Sequence, residues 1–266
     1  MSYTSKNKNY VWVLFTIFFA FIQCKKENPR WELNFFDEFS GPSLNTNVWR
    51  TNFPWGQQLS GTDQAFLIDS AFTFEDGILK IKSSNDTVTG WAYDEHWNPV
   101  PKTYYYTTGM IQSAYSFAQQ YGYFETRCKL PFGKGLGFAF WLMAYSGWPP
   151  EIDICEFHCI EPDRIHLANH FRNIDGIHTQ INTTIDGLDF TNDFHIYAIE
   201  WNPKEIIWYI DNKQVFISET AVPQERMYVI LSSGVGGSSF TGYADQTTPL
   251  PAYFEIDYVR VYKEVN

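Results

Sequence analysis

The sequence predicts an all-β chain folded as a sandwich of two antiparallel sheets. Three observations carry that expectation. No stretch after residue 30 keeps a helical period, so no amphipathic helix is expected there. Short runs of alternating apolar and polar residues recur instead, punctuated by Gly, Pro and Asn. With 266 residues, 44 % of them apolar, the chain is long enough for one such domain around a large core.

The chain opens with Lys6 and Lys8, followed by an apolar run from Val11 to Ile22. That run fits a secretory signal and is short for a membrane span. It ends at Cys24, ahead of Lys25-Lys26-Glu27-Asn28-Pro29. The arrangement resembles a bacterial lipoprotein signal, in which the cysteine becomes the lipidated first residue. Gln23 stands where a small residue is usual, and an ordinary cleaved signal is the alternative. The expected organisation is a signal peptide over 1–24, a tether over 25–29 and a single domain over 30–266. The protein is then secreted, or is a periplasmic or outer-surface lipoprotein of a bacterium. Membrane contact is expected only through a lipid on Cys24, and a monomer is expected.

Within the domain, Tyr121–Leu130 alternates Tyr123, Glu125, Arg127 and Lys129 against Phe124, Thr126, Cys128 and Leu130. Glu205–Phe216 reads as a hairpin turning at Asp211-Asn212-Lys213. Arg164–Arg172 and Phe254–Tyr262 are further strands. Gly133-Lys-Gly-Leu-Gly137 lacks the Lys-Ser/Thr pair of a phosphate loop, and no helix follows it. Ser232–Ser239 is expected to be a tight bend with close backbone packing. Gly90–Asn98 and Tyr104–Tyr106 are expected as loops or edges near the end of a cleft.

Composition excludes some partners. The net charge of −11, with no Lys/Arg stripe, argues against nucleic acid. The 23 Phe, 17 Tyr and 10 Trp exceed what a core needs, and suggest a surface that stacks flat ligands. After Cys24 only Cys128, Cys155 and Cys159 remain, an odd number that makes no disulfide framework. Cys155 and Cys159 with His158 and His166 lack the second ligand pair of a usual zinc site, and buried thiols are the expectation.

The chemistry concentrates in Trp148-Pro-Pro-Glu-Ile-Asp-Ile-Cys-Glu-Phe157, where Glu151, Asp153 and Glu156 crowd together. On a strand, 151 and 153 share a face, and plain alternation would add 155 to it. A bulge at Ile154-Cys155 returns Glu156 to the face of the other two acids. Like charges so close raise one another's pKa values, as acid/base chemistry requires. Two carboxylates flanking one bond are the equipment of a glycosidase, and a separation of about 5–5.5 Å gives retention. Glu255-Ile256-Asp257 repeats the tripeptide with Arg260 in place of a third acid, so it reads as structural.

Glu151-Ile-Asp-Ile-Cys-Glu156 resembles the Glu-x-Asp-x-x-Glu signature of glycoside hydrolase family 16 in its bulged, laminarinase-like form. Phe36-Asp-Glu-Phe-Ser-Gly41 with Trp49, Thr107–Ile111, Tyr121–Glu125, Lys134–Trp141, Phe194–Trp201, Ile207–Asp211 and Phe254–Tyr262 resemble family segments in the same order. The resemblance implies a β-jelly roll with a concave substrate cleft, and retaining endo-hydrolysis of β-linked glucans or galactans. It implies Glu151 as nucleophile, Glu156 as general acid/base and Asp153 as the assisting acid.

It also implies that Trp148 shapes subsites beside the nucleophile and that His170 is a cleft histidine. His166, Trp141 and Trp55 are further substrate-binding candidates, with a core role as the alternative for Trp141. Glu38, the backbone of Gly77 and Asp257 match a structural calcium site, whereas catalysis requires no cofactor. A β-1,3- or mixed β-1,3/1,4-glucan is the leading polysaccharide partner. A marine galactan such as agarose, porphyran or carrageenan is the alternative, since an Arg164–Arg172 pair would read sulfate. A glycan-binding surface protein without chemistry is the other alternative, and a transglycosylase a further one.

Overall fold

The computed structural model describes residues 30–57, 64–94, 96, 98–187, 189–237 and 241–265. The expected signal, tether and Cys24 lie outside the described residues. Every regular element among the described residues is a strand. In order they are β1 (Arg30–Asp37), β2 (Ala65–Leu67), β3 (Phe72–Glu75), β4 (Ile78–Ser83), β5 (Val88–Tyr93) and β6 (Pro99–Tyr104). Next come β7 (Tyr106–Thr108), β8 (Met110–Gln112), β9 (Gly122–Lys129), β10 (Leu136–Ala144), β11 (Glu151–His158) and β12 (Arg164–Arg172). The last are β13 (His178–Asp186), β14 (His195–Trp201), β15 (Ile206–Ile210), β16 (Lys213–Ser218), β17 (Met227–Val235) and β18 (Ala252–Val265).

They form a β-jelly roll of two antiparallel sheets. One runs β16-β15-β14-β9-β18-β4-β3, with β1 also paired to β18. The other runs β13-β12-β11-β10-β17-β8. Two small sheets, parallel β2–β7 and antiparallel β5–β6, stand apart from these.

Alternation decides what lies between the sheets. On β9, Phe124, Thr126 and Cys128 are buried while Tyr123, Arg127 and Lys129 are partly exposed. On β10, Phe138, Phe140 and Leu142 enter the main core with Ile152, Phe157, Ile199, Trp208 and Val259. The Phe138 and Phe254 rings meet across the sheets at 5.3 Å. Burying each such side chain stabilises the fold by about 1.5–3 kcal/mol. The other side of the six-stranded sheet carries a second cluster of Phe53, Met110, Trp141, Met143, Tyr228 and Ile230. That sheet is therefore apolar on both faces, and its outer face forms the floor of a cleft.

The β15–β16 hairpin turns at Asp211 (φ 49°) and Asn212 (φ 63°), and Lys213 already belongs to β16. Two successive positive φ values give the primed turn that matches strand twist, and Asp-Asn tolerates it. The Gly-rich stretch 133–137 is a turn into β10. There a Cβ on Gly135 (φ +74°) would lie 2.5 Å from the Ala244 Cα.

One expectation needs correction. Ser232–Val235 is not a bend but the end of β17. Its backbone pairs with β10 over 136–139, and its hydroxyls are satisfied inside the fold. Ser233 Oγ lies 2.9 Å from Ser83 Oγ and 2.6 Å from Thr108 Oγ1, and Ser232 Oγ accepts from Trp141 at 3.0 Å. Residues 238–239 of that stretch lie outside the described residues. Cys128, Cys155 and Cys159 are free, buried thiols, as expected.

Candidate active site

The sequence of β11 dictates its own irregularity. On the β12 side Asp153 pairs with Ala168 and Glu156 with His166, so Ile154 and Cys155 together oppose Leu167. On the β10 side Phe140 faces Cys155 and Trp141 faces Asp153, and Ile154 is passed over. This is a bulge of two residues against one. Ile152, Ile154, Cys155 and Phe157 all enter the core, which sends Glu151, Asp153 and Glu156 to the opposite face. Apolar demand on the inner face thus positions the acids on the outer one.

The three acids differ in surroundings. Asp153 is only 2 % exposed, and Trp208 Nε1 donates to its backbone carbonyl at 2.9 Å. Burial pushes its carboxyl up to about 8. Burial and the charges of Asp153 and Glu156 hold Glu151 well above the usual carboxylate range, opposed by His170 and by a side-chain hydrogen bond from Trp148. Glu156 is raised by burial and Asp153, opposed by His170, with no counterpart to the Trp148 hydrogen bond. Both glutamates are thus held toward the protonated form, and only Glu151 has a Trp148 hydrogen bond that favours its anion.

His170 enters from β12, in register with Glu151. Its Nε2 lies 2.9 Å from Asp153 Oδ2 and 3.7 Å from Glu151 Oε1, and its Nδ1 is hydrogen-bonded to His178 Nε2 at 2.9 Å. The expected cleft histidine is thus turned onto the acids. His178, at the start of β13, and Trp208, from the opposite sheet, are additions that no local pattern marks. Trp148 is 45 % exposed and sits directly before β11, its ring 4.3 Å from that of His178.

The other candidates fall differently. Trp141 is 5 % exposed, donates to Ser232 and packs near Phe53, so it forms part of the cleft floor beside Asp153. Trp55 is 41 % exposed and stacks on Phe53 at 4.9 Å. His166 lies opposite Glu156, but its ring stacks on His158 at 4.4 Å and its Nε2 is 3.8 Å from Glu161. It is engaged with that cluster rather than turned toward a sugar. Burial lowers the pKa of both rings, that of His158 to about 4.

Among the described residues, two groups bring donor atoms within 4.8 Å of one another, His158/Glu161/His166 and Glu151/Asp153/His170. In the first, the imidazole planes differ by only 25°, which sets the rings face to face instead of aiming them at one point. The calcium site expected at Glu38, Gly77 and Asp257 does not fit these side chains as they stand. Both Glu38 oxygens accept from Arg260, at 2.7 and 2.8 Å, and Asp257 pairs with Arg127 at 2.5 Å. Gly77 lies in the β3–β4 turn with φ +77°. Each carboxylate already has a guanidinium partner, which a second cation would have to displace. Glu255 likewise faces Lys80 at 3.6 Å, so the repeated tripeptide is structural.

Comparison with known proteins places this geometry. The endo-1,3-1,4-β-glycanase ExsH of Rhizobium meliloti (strain 1021) is 30 % identical over 243 residues, covering 86 % of this chain and 51 % of that protein. The chain spans about half the length of this relative. The laminarinase (endo-1,3-β-glucanase) catalytic domain of Thermotoga petrophila RKU-1 is 28 % identical with a TM-score of 0.76, over 90 % of this chain and 100 % of that one. The endo-β-1,3-glucanase of Pyrococcus furiosus is 30 % identical with a TM-score of 0.74, over 90 % of this chain and 97 % of that one. The family model for glycosyl hydrolases family 16 matches residues 61–260, and to that family this chain belongs.

Proposed function

We propose that the protein is a retaining endo-β-glycanase that hydrolyses internal linkages of a β-1,3- or mixed β-1,3/1,4-glucan. The observation that carries this reading is the bulge of β11 that sets Glu151, Asp153 and Glu156 on one strand face. Glu151, next to His170 and the Trp148 donor, attacks the anomeric carbon. Glu156 protonates the departing oxygen as the glycosidic bond breaks. The resulting glycosyl ester on Glu151 is opened by water, whose proton returns to Glu156. Asp153 lies between them and tunes both charges. No cofactor takes part in these steps.

The names of the three relatives support a glucan over a galactan. So do the arginines. Arg164 is held by Asp186 and Glu161, each at 2.7 Å, and Arg172 donates to the carbonyls of Gly176 and Trp148. The two stand at opposite ends of β12, so they form no pair to grip a sulfate. The reading extends to an exported, monomeric enzyme of one domain over 30–266, anchored by a lipid on Cys24.

A polysaccharide panel with product sizing tests the reading. Internal cleavage of laminarin or a mixed-linkage glucan, with the β-anomer formed first by NMR, is the expected result. Binding without release of any sugar would leave a glycan-binding protein. Release from a galactan alone would give the substrate to the alternative, and an inverted product would overturn the roles of Glu151 and Glu156.

A further inference from the structure

The β5–β6 hairpin belongs to neither main sheet, yet it is firmly built. A hairpin alone is marginally stable in water, so its anchors matter. At its base Tyr104 is buried, its ring 5.1 Å from Phe66, and its hydroxyl donates to the Trp91 carbonyl at 2.9 Å. Gly90 lies so close to Phe66 that a Cβ there would sit 2.4 Å from the ring. At the tip, Asp94 Oδ1 accepts from the backbone N–H groups of His96 and Asn98, at 2.9 and 2.8 Å. This ordered scaffold nevertheless presents Trp91 and Tyr93 largely to solvent, 55 % and 41 % exposed. Large aromatics held out on a rigid support mark a contact surface.

Those rings line a pocket of about 310 Å³ with Gly56, Gln57, Phe66 and Pro99. None of the described lining residues carries a charge. The pocket also joins the cleft. Trp141, in register with Asp153, lies 6.1 Å from Phe53; Phe53 stacks on Trp55; and the Trp55 carbonyl accepts from the Tyr93 hydroxyl at 3.5 Å. Arg50 pairs with Gln112, which puts this segment along the β8 edge of the sheet. From β11 to β8 is three strand spacings, on the order of 14 Å, or several sugar rings.

We propose that the Trp91/Tyr93 pocket is a distal subsite that takes a neutral hexose of the polysaccharide chain, several units from the bond that is cut. Ring faces and C–H-rich sugar faces suit each other, and the described lining offers a sulfate no cation, which suits a neutral sugar. The asymmetry of the cleft follows, because a long substrate gains contacts beyond the β8 edge that a short one never reaches. The proposal rests on the glucanase reading.

The test uses β-1,3-gluco-oligosaccharides of increasing length, titrated by calorimetry into the Glu151→Gln protein. With Trp91 present, affinity should step up once the chain is long enough to reach the hairpin. Adding Trp91→Ala should abolish that step, a loss of roughly tenfold. Trp91→Phe should keep most of it, which separates stacking from misfolding. In the otherwise native enzyme, Trp91→Ala should raise KM for laminarin and shift product sizes while leaving the shortest cleaved oligosaccharide unaffected. If Trp91→Ala and Tyr93→Ala bind and cut every length as the native chain does, the subsite is overturned and the glucanase reading stands. If the native chain neither binds nor cuts any β-glucan, both fail together.

Discussion

His170 Nε2 lies 2.9 Å from Asp153 Oδ2, at ion-pair distance, while the same imidazole approaches Glu151 Oε1 at 3.7 Å. That carboxylate oxygen accepts no aligned hydrogen bond, so the contact is one of charge and position. One imidazole therefore reaches Glu151 and Asp153 together. Burial raises the Asp153 carboxyl to about 8. The site holds crowded acids by keeping protons among them rather than by neutralising each with a cation.

The roles of the two glutamates separate by azide rescue. Each Ala substitution should lower kcat on laminarin by roughly 10³-fold. With an activated aryl glucoside, azide should enter the space left by Glu151→Ala and displace the leaving group directly, giving the inverted glycosyl azide. In Glu156→Ala, Glu151 still forms the ester, and azide opening it gives the retained azide. NMR of the azide anomers reads the difference. The same anomer from both variants would refute the assignment.

Stability should depend on pH through Asp153. Its folded pKa of about 8 lies above the ordinary aspartate value of 3.8. A carboxyl raised in this way contributes stability that is fully present below about pH 4, the unfolded value, and is lost as pH rises through the folded one. Glu151 and Glu156 shift in the same direction. Asp153→Asn keeps the shape without the ionisation. Its Tm relative to the native chain should therefore rise steadily from pH 4 to pH 8. A difference that stays constant across that window would refute the account.

What could be read from the chain divides along a physical line. The bulge at Ile154-Cys155 was visible because charge spacing violates strand alternation, and both are properties of consecutive residues. His170 was visible through the family resemblance, which implies a cleft histidine at that position. His178 was not, because it meets His170 only through the way β13 lies beside β12, with Arg172 as its own register partner. The arginines that occupy Glu38 and Asp257 come from β18 and β9, remote in sequence from the acids they neutralise. Ser232–Val235 carries the glycine and serine of a bend, and only its pairing with β10, nearly a hundred residues earlier, makes it a strand.

His178 is accordingly a positioning residue. Its ring holds the Nδ1 side of His170 and packs on Trp148 at 4.3 Å. Losing one hydrogen bond of about 1 kcal/mol should lower kcat about fivefold in His178→Ala and shift the pH profile of kcat, with KM less affected. His178→Phe keeps a ring against Trp148 but no hydrogen bond, so it should show the same kcat defect. Full activity in His178→Phe would mean that the ring packs and does nothing more.

The bulge yields the most specific prediction. Deleting Cys155 leaves Glu-Ile-Asp-Ile-Glu, in which plain alternation already puts all three acids on one face. The residues after the deletion keep their side of the sheet, so Phe157 remains a core residue. The deletion removes one buried side chain and should cost about 2–5 kcal/mol of stability. The shifted acid should lower activity by roughly 100-fold, without abolishing it. Deleting Ile152 instead turns Asp153 and Glu156 away from the face of Glu151, because nothing compensates for that slip. That variant should be inactive even where it folds. Kinetics on laminarin, with circular dichroism to confirm folding, compares the two. Equal and complete loss of activity in both folded variants would show that the extra residue does more than set the face of Glu156.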